Sequence, residues 1–258
     1  MQATPSPPSK SVGSPVLDSV GVIHSVANAY VIHEAEGHYL IDTGFPGNAR
    51  PVLQAFERAG VKPQGIRGIL ITHQHPDHIG GAAKLRWLSE APVAAHRMDA
   101  PSIEAHAPAV APLFVRILFH PHKVQVNTKL EDGATVGPFT VYHLPGHTPG
   151  SVAFYHKARG LLFTGDALVT SPSGRLALSK PSTSYDPEAA ARSLRKLTGL
   201  KVEAVFPGHG APITKDAGES LRSAIDRLTR PKVVASPTLF GPEGRPELHP
   251  GTPGWGER

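Results

Sequence analysis

The sequence predicts a layered α/β fold with mixed β-sheets, on the basis of three observations. Apolar strand-like runs interleave with helix-like runs along the 258 residues, and hairpin signals occur in each half of the chain. The two halves also follow the same order, with strands first and a helix late, which is a weak indication of internal duplication. The length suits one large domain whose core needs no covalent cross-links.

The elements of the first half are predicted from apolar runs and from the residues that end them. Their order is strands at 29–35 and 38–42, a helix at 51–59, a strand at 69–72, a helix from near 80 and a strand at 92–95. Glu36-Gly37 joins the first two strands as a hairpin, and Gly60 ends the first helix. Residues 102–119 are apolar and alanine-rich, and we expect a helix that either covers a pocket or packs on the core.

The second half is predicted in the same way. It has strands at 123–127, 139–144, 151–156, 161–164 and 202–206, and helices at 186–199 and 216–228. A turn at 158–160 makes the third and fourth of these strands a hairpin. Asp186 is expected to cap the first of these helices, Pro187 to occupy its first position and Gly199 to end it.

The composition excludes several classes of protein. The chain has no cysteine, which rules out disulfides, thiolate metal ligands and a cysteine nucleophile. The formal charge of +5 comes from basic residues scattered over predicted helix faces, so we expect no nucleic-acid partner. No apolar stretch is long enough to span a membrane, and the N-terminus lacks the apolar core of a secretory signal, so we expect a cytoplasmic protein.

The segment His73-Gln74-His75-Pro76-Asp77-His78 decides the functional interpretation. It places four potential metal ligands within six residues, directly after an apolar run that is predicted to be a buried strand. Imidazoles and carboxylates are the ligands that zinc and similar cations prefer. The competing interpretation is a solvated histidine-rich loop. The residue frequencies of the chain would produce such a cluster by chance only about 0.002 times, which favours a metal site.

Three further candidate ligands follow other predicted strands, each in a turn that contains glycine. They are His147 in the turn 145–150, Asp166, and His209 in the turn 207–210. Glycine lets the backbone turn sharply and bring a ligand to the strand end. A single residue in such a turn more often has a structural role than a metal-binding one. The occurrence of all three together with the first segment nevertheless favours a shared metal site. Seven ligands exceed one tetrahedral zinc and suit two cations that share a carboxylate, for which Asp166 is the natural bridge.

Four sequence motifs together resemble the metallo-β-lactamase superfamily, in its glyoxalase II-like hydrolase branch. They are THQHPDHIGG at 72–81, PGHTPGS at 145–151, TGD at 164–166 and PGHG at 207–210. The resemblance implies an αββα sandwich of two mixed β-sheets flanked by helices, the metallo-β-lactamase fold, with a dinuclear metal site at one edge. It also implies that Asp42 lies near the site, where it either supports a ligand or simply ends a strand.

The resemblance also assigns a role to each candidate ligand. The first metal is held by His73, His75 and His147, and the second by Asp77, His78 and His209, with Asp166 bridging the two. We expect two divalent ions, Zn²⁺ first, with Mn²⁺ or Fe²⁺ as alternatives.

Three regions are expected along the chain. Residues 1–15, rich in Pro and Ser, are expected to form a disordered leader, and residues 231–258 a loose Pro/Gly-rich tail. Residues 16–230 form the expected catalytic domain. The expected partner is a small-molecule carbonyl substrate, with no nucleic acid and no membrane, and the sequence carries no indication of the oligomeric state.

Departures from the family pattern reduce the range of substrates that we expect. Class B β-lactamases usually lack an aspartate at the position of Asp166, and no export signal is visible, so β-lactam hydrolysis is not expected. Glyoxalase II enzymes carry a longer helical C-terminal region that holds glutathione, whereas about fifty residues follow His209, so glutathione specificity is not implied. The nucleic-acid branches add an inserted domain or an exosite arm, and the sequence shows neither.

The expected chemistry is metal-assisted hydrolysis of an ester, thioester or lactone. A hydroxide that bridges two cations attacks the carbonyl, and one metal stabilises the carbonyl oxygen as a Lewis acid. Asp77 is expected to hold the second metal and to orient the nucleophile or pass a proton. Tyr185, before the capped helix, either donates its phenol to the substrate or packs at the helix entry. No G-x-S-x-G occurs, so a serine nucleophile is not expected.

Two other functions fit parts of the same pattern. Persulfide dioxygenases share the fold and much of the motif but use a single iron, and the complete seven-ligand set favours hydrolysis over this alternative. A non-catalytic metal-binding module is less consistent with the complete set, because loss of catalysis usually leaves gaps in it. His120 and His122 repeat the HxH spacing without a following Asp/His pair, so a surface loop is the preferred interpretation there.

Overall fold

Two β-sheets pack face to face at the centre of the molecule, and helices cover the outer face of each sheet. The computed structural model describes residues 19–46, 49–105 and 123–230. This arrangement confirms the αββα sandwich of mixed sheets that the sequence resemblance implies.

The first sheet has six strands that lie side by side in chain order. They are β1 Val20–Ile23, β2 Ala29–Glu34, β3 Gly37–Ile41, β4 Ile66–Leu70, β5 Val93–His96 and β6 Thr128–Leu130. The first three pair as antiparallel hairpins, whereas β3 to β6 run parallel and need crossover connections. The helices on those crossovers are α1 Arg50–Ala59, α2 Pro76–Ile79, α3 Ala82–Ser89 and α4 Ala100–Ala105.

The second sheet has five strands. They are β7 Thr135–Val136, β8 Phe139–His143, β9 Val152–His156, β10 Leu161–Gly165 and β13 Ala204–Pro207. Their spatial order is β13-β10-β9-β8-β7, in which β10 and β13 run parallel and the other neighbours are antiparallel. The remaining elements of this half are a two-stranded ribbon, β11 Val169–Thr170 and β12 Leu176–Ala177, and the helices α5 Pro187–Ser193 and α6 Ala217–Leu228.

The molecule has three hydrophobic cores, and the alternating side chains of a central strand belong to two of them. On β10, Leu161 and Phe163 belong to the core between the sheets, whereas Leu162 belongs to the core under α5 and α6. This alternation follows from the two-residue period of a strand. Phe163 stacks on Phe206 with 4.7 Å between ring centroids, and Tyr30 of the first sheet meets both rings edge-on. The central core therefore joins the two sheets close to the carboxyl ends of β10 and β13.

Amphipathic helices form the outer cores. Val52 and Phe56 of α1 and Leu85 of α3 pack against the first sheet, and Leu221 and Ile225 of α6 pack against the second. Burial of each such side chain contributes about 1.5–3 kcal/mol. The outer helices therefore stabilise the sheets whose strand ends carry the predicted ligands.

Many elements predicted from the sequence are confirmed, with ends shifted by a few residues. The hairpin at Glu36 joins β2 to β3, and Gly60 ends α1 in a left-handed conformation. Asp186 caps α5, because its carboxylate accepts a hydrogen bond from the Ala189 N–H at 2.8 Å. The helix expected to continue to Gly199 becomes a 3₁₀ turn after α5.

One predicted strand is wrong. Residues 123–127 form no strand, and the strand lies at β6 instead. Val124 and Val126 are buried, which explains the alternating pattern in the sequence. The Val126 N–H, however, donates to the Glu104 carboxylate at 3.2 Å rather than to a neighbouring strand. The alternation therefore marks an extended, half-buried segment that meets β5 at its last residue, where the Asn127 N–H donates to the Val93 carbonyl at 2.8 Å.

Other predictions fall outside the described residues. They concern the leader at 1–15, the tail at 231–258, residues 106–119 of the expected helix at 102–119, and the pair His120 and His122. Of that range, residues 102–105 are described and belong to α4. Among the helices of the described ranges, none combines the length and the apolar character needed to cross a membrane.

Candidate metal centre

One edge of the molecule gathers the loops that follow β4, β8, β10 and β13. The predicted ligands on these loops are His73, His75, Asp77, His78, His147, Asp166 and His209. The structure brings all seven together in three overlapping groups, within each of which the ligand atoms lie within 4.8 Å of one another. Strand ends that are distant in the sequence therefore meet at one place.

The first group contains His73, His75 and His147 and is called the tri-histidine cluster. His75 Nδ1 lies 3.1 Å from His73 Nε2 and 2.9 Å from His147 Nε2. Nitrogen ligands at about 2.0–2.1 Å from a tetrahedral zinc would lie about 3.3 Å apart. The three imidazoles therefore converge on one point with nearly the spacing of metal ligands.

The second group contains Asp77, His78 and His209 and is called the Asp77 cluster. The Asp77 carboxylate lies 3.3 Å from His209 Nε2 and 3.9 Å from His78 Nε2. The side chains of Asp77 and His209 are 23% and 33% exposed, whereas His78 is buried. This cluster is therefore more open to solvent than the tri-histidine cluster, in which His73 and His147 are buried and His75 is half-buried.

Asp166 lies between the two clusters and contacts both. Its Oδ1 lies 3.4 Å from His78 Nε2, and its Oδ2 lies 3.4 Å from both His147 Nε2 and His209 Nε2. Gly208 permits this placement, because a Cβ at that position would overlap Asp166 Oδ1. One carboxylate is therefore within reach of cations in either cluster.

Burial keeps the imidazoles of the tri-histidine cluster neutral. It lowers the pKa of His73 well below the usual value, and the neighbouring rings of His78 and His147 lower it further. Burial also lowers the pKa of His75, and it lowers that of His147 to about 3 although the Asp166 carboxylate opposes the shift. A neutral imidazole is the form that binds a cation, so this cluster has the right protonation state at neutral pH.

In the Asp77 cluster, by contrast, neighbouring carboxylates keep the imidazoles protonated. Burial lowers the pKa of His78, but Asp42, Asp166 and Asp77 outweigh burial and raise it well above the usual value. Burial likewise lowers the pKa of His209, but the nearby carboxylates of Asp166 and Asp77 raise it to about 9. Burial raises the pKa of Asp77, but His78 and His209 bring it down to about 2. The cluster is thus an ion-paired set whose imidazole protons a metal would displace.

Two buried polar atoms at the centre of the site, His78 Nε2 and Asp166 Oδ1, lack a hydrogen-bond partner among the described residues. The 3.4 Å between them exceeds the usual length of a hydrogen bond. Buried polar atoms are normally hydrogen-bonded, and a bound ion is one of the common reasons for an exception. A donor set of imidazoles and carboxylates suits zinc, iron or manganese. The residues present therefore fit divalent cations.

Asp42 holds His78 and the start of the loop after β4. Its Oδ2 accepts hydrogen bonds from His78 Nδ1 (2.8 Å) and the Thr72 hydroxyl (2.7 Å), and its Oδ1 accepts one from the Thr72 N–H (2.8 Å). Its φ of 56° is in the left-handed region, a strained conformation that clusters at functional sites. Of the two roles that the sequence leaves open for Asp42, the structure supports that of a residue supporting a ligand.

In two more histidines, neighbouring hydroxyl groups contact the Nδ1 atom, which is the ring nitrogen that does not point into the cluster. Thr72 Oγ1 lies 3.1 Å from His73 Nδ1, and Ser184 Oγ lies 3.3 Å from His147 Nδ1. Contacts of this kind set the orientation and tautomer of a metal-binding imidazole. The rings are therefore oriented by neighbouring side chains.

Asn28, Asp99 and Ser184 support the site but are missed by the sequence analysis. Asn28 Nδ2 donates to two carbonyls of the turn 207–210, at 3.1 and 2.8 Å. Asp99 is buried and accepts hydrogen bonds from two ligand-bearing loops. Asp99 follows β5 by three residues, so the strand-end pattern used for the ligands would have found it. Asn28 precedes a strand and Ser184 lies in a long loop, so no such pattern marks them.

Tyr185 is connected to the site through its backbone. Its N–H donates to the His147 carbonyl at 3.1 Å, and its side chain is 64% exposed. The phenol therefore lies on the surface rather than packed at the helix entry. Among the other histidines, His143 ends β8 and stacks on His96 with 3.8 Å between ring centroids.

Comparison with known proteins gives a consistent result. The family model of the metallo-beta-lactamase superfamily matches residues 23–209. The probable metallo-hydrolase YflN of Bacillus subtilis is 31% identical over 244 residues, which cover 81% of this chain and 88% of that protein. A hydroxyacylglutathione hydrolase of Methylobacillus flagellatus is 33% identical over 181 residues, which cover 70% of this chain but only 60% of that protein.

Solved structures share the fold. TTHA1623, solved in a di-iron-bound form, is 32% identical with a TM-score of 0.62, and the match covers 82% of this chain and 98% of that one. The metallo-beta-lactamase family protein TTHA1429 of Thermus thermophilus is 24% identical with a TM-score of 0.63, covering 83% of this chain and 79% of that one. The second likeness concerns the fold alone.

Proposed function

Since the chain belongs to the metallo-beta-lactamase superfamily, we propose that it is a dinuclear metal-dependent hydrolase that cleaves an ester, thioester or lactone at the carbonyl. The observation that carries the proposal is Asp166, whose carboxylate contacts both the tri-histidine cluster and the Asp77 cluster. A carboxylate can serve two cations with its two oxygens, whereas a neutral imidazole offers one free nitrogen. Relatives named metallo-hydrolase and hydroxyacylglutathione hydrolase support the reaction class.

Each cluster would hold one cation, with Asp166 shared between them. We propose zinc as the ion, because neutral imidazoles and carboxylates without thiolates are common zinc ligands. The same donors accept iron or manganese. Iron is the main alternative to zinc, because TTHA1623 was solved in a di-iron-bound form. Elemental analysis of the purified protein must therefore distinguish the two metals.

When bound, two divalent cations supply a hydroxide nucleophile near neutral pH and polarise the substrate carbonyl. Asp77 and Asp166 are the only anionic side chains among the proposed ligands, so the loaded site keeps positive charge for the developing oxyanion. The side chain of Asp77 is 23% exposed, against 9% for Asp166. We therefore assign to Asp77 the orientation of the attacking water or the transfer of its proton.

The substrate is proposed to approach from the Asp77 cluster, which is the more exposed half of the site. Tyr185, exposed and tied to the His147 carbonyl, is proposed to donate its phenol to the carbonyl or leaving-group oxygen. Thioesters are among the candidates because the name hydroxyacylglutathione hydrolase describes one group of relatives. A small-molecule substrate, the catalytic domain at 16–230 and a cytoplasmic location stay predictions from the sequence.

The first test is elemental analysis of protein purified without added metal or chelator. About two zinc ions per chain are expected for the proposed centre. Two iron or manganese ions would retain the dinuclear hydrolase and change only the metal. About one iron per chain, together with oxygen uptake on glutathione persulfide, would replace the hydrolase by a dioxygenase.

The second test is hydrolysis of p-nitrophenyl acetate, a lactone and a glutathione thioester with and without chelator. We expect chelator-sensitive turnover of at least one of them. His38→Ala removes a histidine on the β2–β3 hairpin and should keep both metal and activity. A fully loaded protein that turns over none of the three substrates would contradict the hydrolase and favour a non-catalytic metal-binding module.

A further inference from the structure

The tri-histidine cluster is assembled from two loops that belong to different sheets. His73 and His75 follow β4 in the first sheet, and His147 follows β8 in the second. A cation held by both loops requires their relative position to be kept within about 0.5 Å. Between the loops lies a buried carboxylate that is not one of the ligands, that of Asp99.

The carboxylate of Asp99 accepts hydrogen bonds from both loops. Its Oδ2 accepts from the Gln74 N–H (3.0 Å), which lies between the first two histidines of the cluster, and from the Thr148 hydroxyl (2.7 Å), next to the third. Its Oδ1 accepts from the Gly150 N–H (2.7 Å). One side chain therefore connects the two loops that carry the cluster.

The position of Asp99 in the chain does not explain this arrangement. It stands immediately before α4, where an aspartate commonly caps the helix with its side chain. Both of its oxygens are instead engaged by the loops. A Cβ on Gly150 would lie 2.6 Å from the carboxyl carbon of Asp99, so the second loop approaches as closely as a glycine allows.

We propose that Asp99 is a positioning residue that sets the cation affinity of the tri-histidine cluster by holding its two loops in register. The Asp77 cluster is held by other groups, because Asp42 bonds to His78 and Asn28 holds the turn at 207–210. The effect of Asp99 is therefore confined to the tri-histidine cluster. This proposal rests on the proposed dinuclear centre, in which each cluster binds a cation.

Asp99→Asn is the sharpest test, because asparagine keeps the shape but replaces one acceptor oxygen by an amide that meets a donor. Zn²⁺ is titrated into the metal-stripped full chain, in competition with a chromophoric chelator, in two backgrounds. His209→Ala leaves the tri-histidine cluster intact, and His147→Ala leaves the Asp77 cluster intact. We expect Asp99→Asn to weaken zinc binding about 10–100-fold in the first background and to leave it unchanged in the second.

Asn28→Ala is the control and should give the mirror-image result, because Asn28 donates to two carbonyls of the turn 207–210, which carries His209 of the Asp77 cluster. Equal weakening by Asp99→Asn in both backgrounds, as a merely structural role would give, or no weakening in either, would overturn the Asp99 proposal. If the unmodified chain and both backgrounds stay folded by circular dichroism but bind no zinc, the dinuclear centre itself fails, and the Asp99 proposal with it.

Thr148→Val keeps the test available if Asp99→Asn does not fold. It removes only one of the three donors to Asp99. We expect a smaller weakening of zinc binding, confined to the His209→Ala background. An equal effect in the His147→Ala background would count against the proposal in the same way.

Discussion

The tri-histidine cluster and the Asp77 cluster lie side by side but differ in burial and charge. In the first, burial lowers the pKa of every imidazole, and that of His147 falls to about 3. In the second, carboxylates raise the pKa of His209 to about 9 in spite of burial, and the side chains of Asp77 and His209 are partly exposed. One cluster is a largely buried set of neutral imidazoles, and the other is an ion-paired set in which His78 is buried while Asp77 and His209 are partly exposed.

This difference shows that the cation affinities of two adjacent sites on one fold can depend on different physical factors. In the tri-histidine cluster the imidazoles are already neutral at neutral pH, so cation affinity depends on how well the loops are placed. In the Asp77 cluster a cation must displace protons from imidazoles, so affinity also depends on pH. We therefore expect the tri-histidine cluster to load first when metal is scarce at neutral pH.

Removing Asp166 should have the largest effect, because both clusters contact it. We expect Asp166→Ala to lose one of the two cations and to lower kcat/KM on the order of a thousandfold, since several kcal/mol of transition-state stabilisation depend on the cation pair. Metal analysis and steady-state assays on the same preparation check this. A variant that keeps two cations and full activity would remove Asp166 from the role of bridge.

Raising the pH should strengthen zinc binding at the Asp77 cluster but not at the tri-histidine cluster. His209, with a pKa of about 9, is protonated at neutral pH. Displacing that proton alone should make affinity rise about tenfold per pH unit between about pH 6 and 8, and displacing a second proton from His78, whose pKa is also raised, should make the rise steeper. His147, with a pKa of about 3, has no proton to lose in that range. Zinc titrations at several pH values measure the Asp77 cluster in His147→Ala and the tri-histidine cluster in His209→Ala, and equal pH slopes would contradict the contrast.

Removing Asn28 should loosen the support of the Asp77 cluster alone. Asn28→Ala deletes two hydrogen bonds to the turn 207–210, each with a net value of about 0.5–1.5 kcal/mol, so we expect a loss of about 1–3 kcal/mol of unfolding free energy. Urea denaturation of the full chain measures the loss. Ser184→Ala is the corresponding variant at the tri-histidine cluster, because it removes one 3.3 Å contact to His147. It should lower the free energy of unfolding by less than Asn28→Ala does. The reverse order of the two losses would mean that these contacts do not support the turns as described.

Replacing Tyr185 should have the smallest effect. Tyr185→Phe removes one hydroxyl from an exposed ring, so we expect unchanged metal content and a fall in kcat of about two- to tenfold, the value of one hydrogen bond. Steady-state kinetics on the preferred substrate check this. Unchanged kcat would remove the phenol from the proposed chemistry and leave the metal assignment as it is.

The predictions from sequence succeed where the physical signal is local. The helix cap at Asp186 depends on residues within one turn, and the hairpin at Glu36 on two neighbouring residues, so both are readable from the chain. The strand expected at 123–127 is wrong because burial of Val124 and Val126 produces the same alternation whether or not the backbone is paired. Strand pairing is a contact between distant segments, and local alternation does not report it.

The sequence by itself determined the chemical type of the site: imidazoles and carboxylates in glycine-containing turns after apolar strands, in numbers that suit two cations. The tertiary structure alone decided which atoms meet. It places Asp42 on His78, sets the pKa contrast between the clusters, and connects Asp99 to residues 25 and 49 positions away in the chain. The physical reason is that hydrogen bonds and charge interactions depend on distances across the fold, whereas ligand chemistry is carried by each side chain alone.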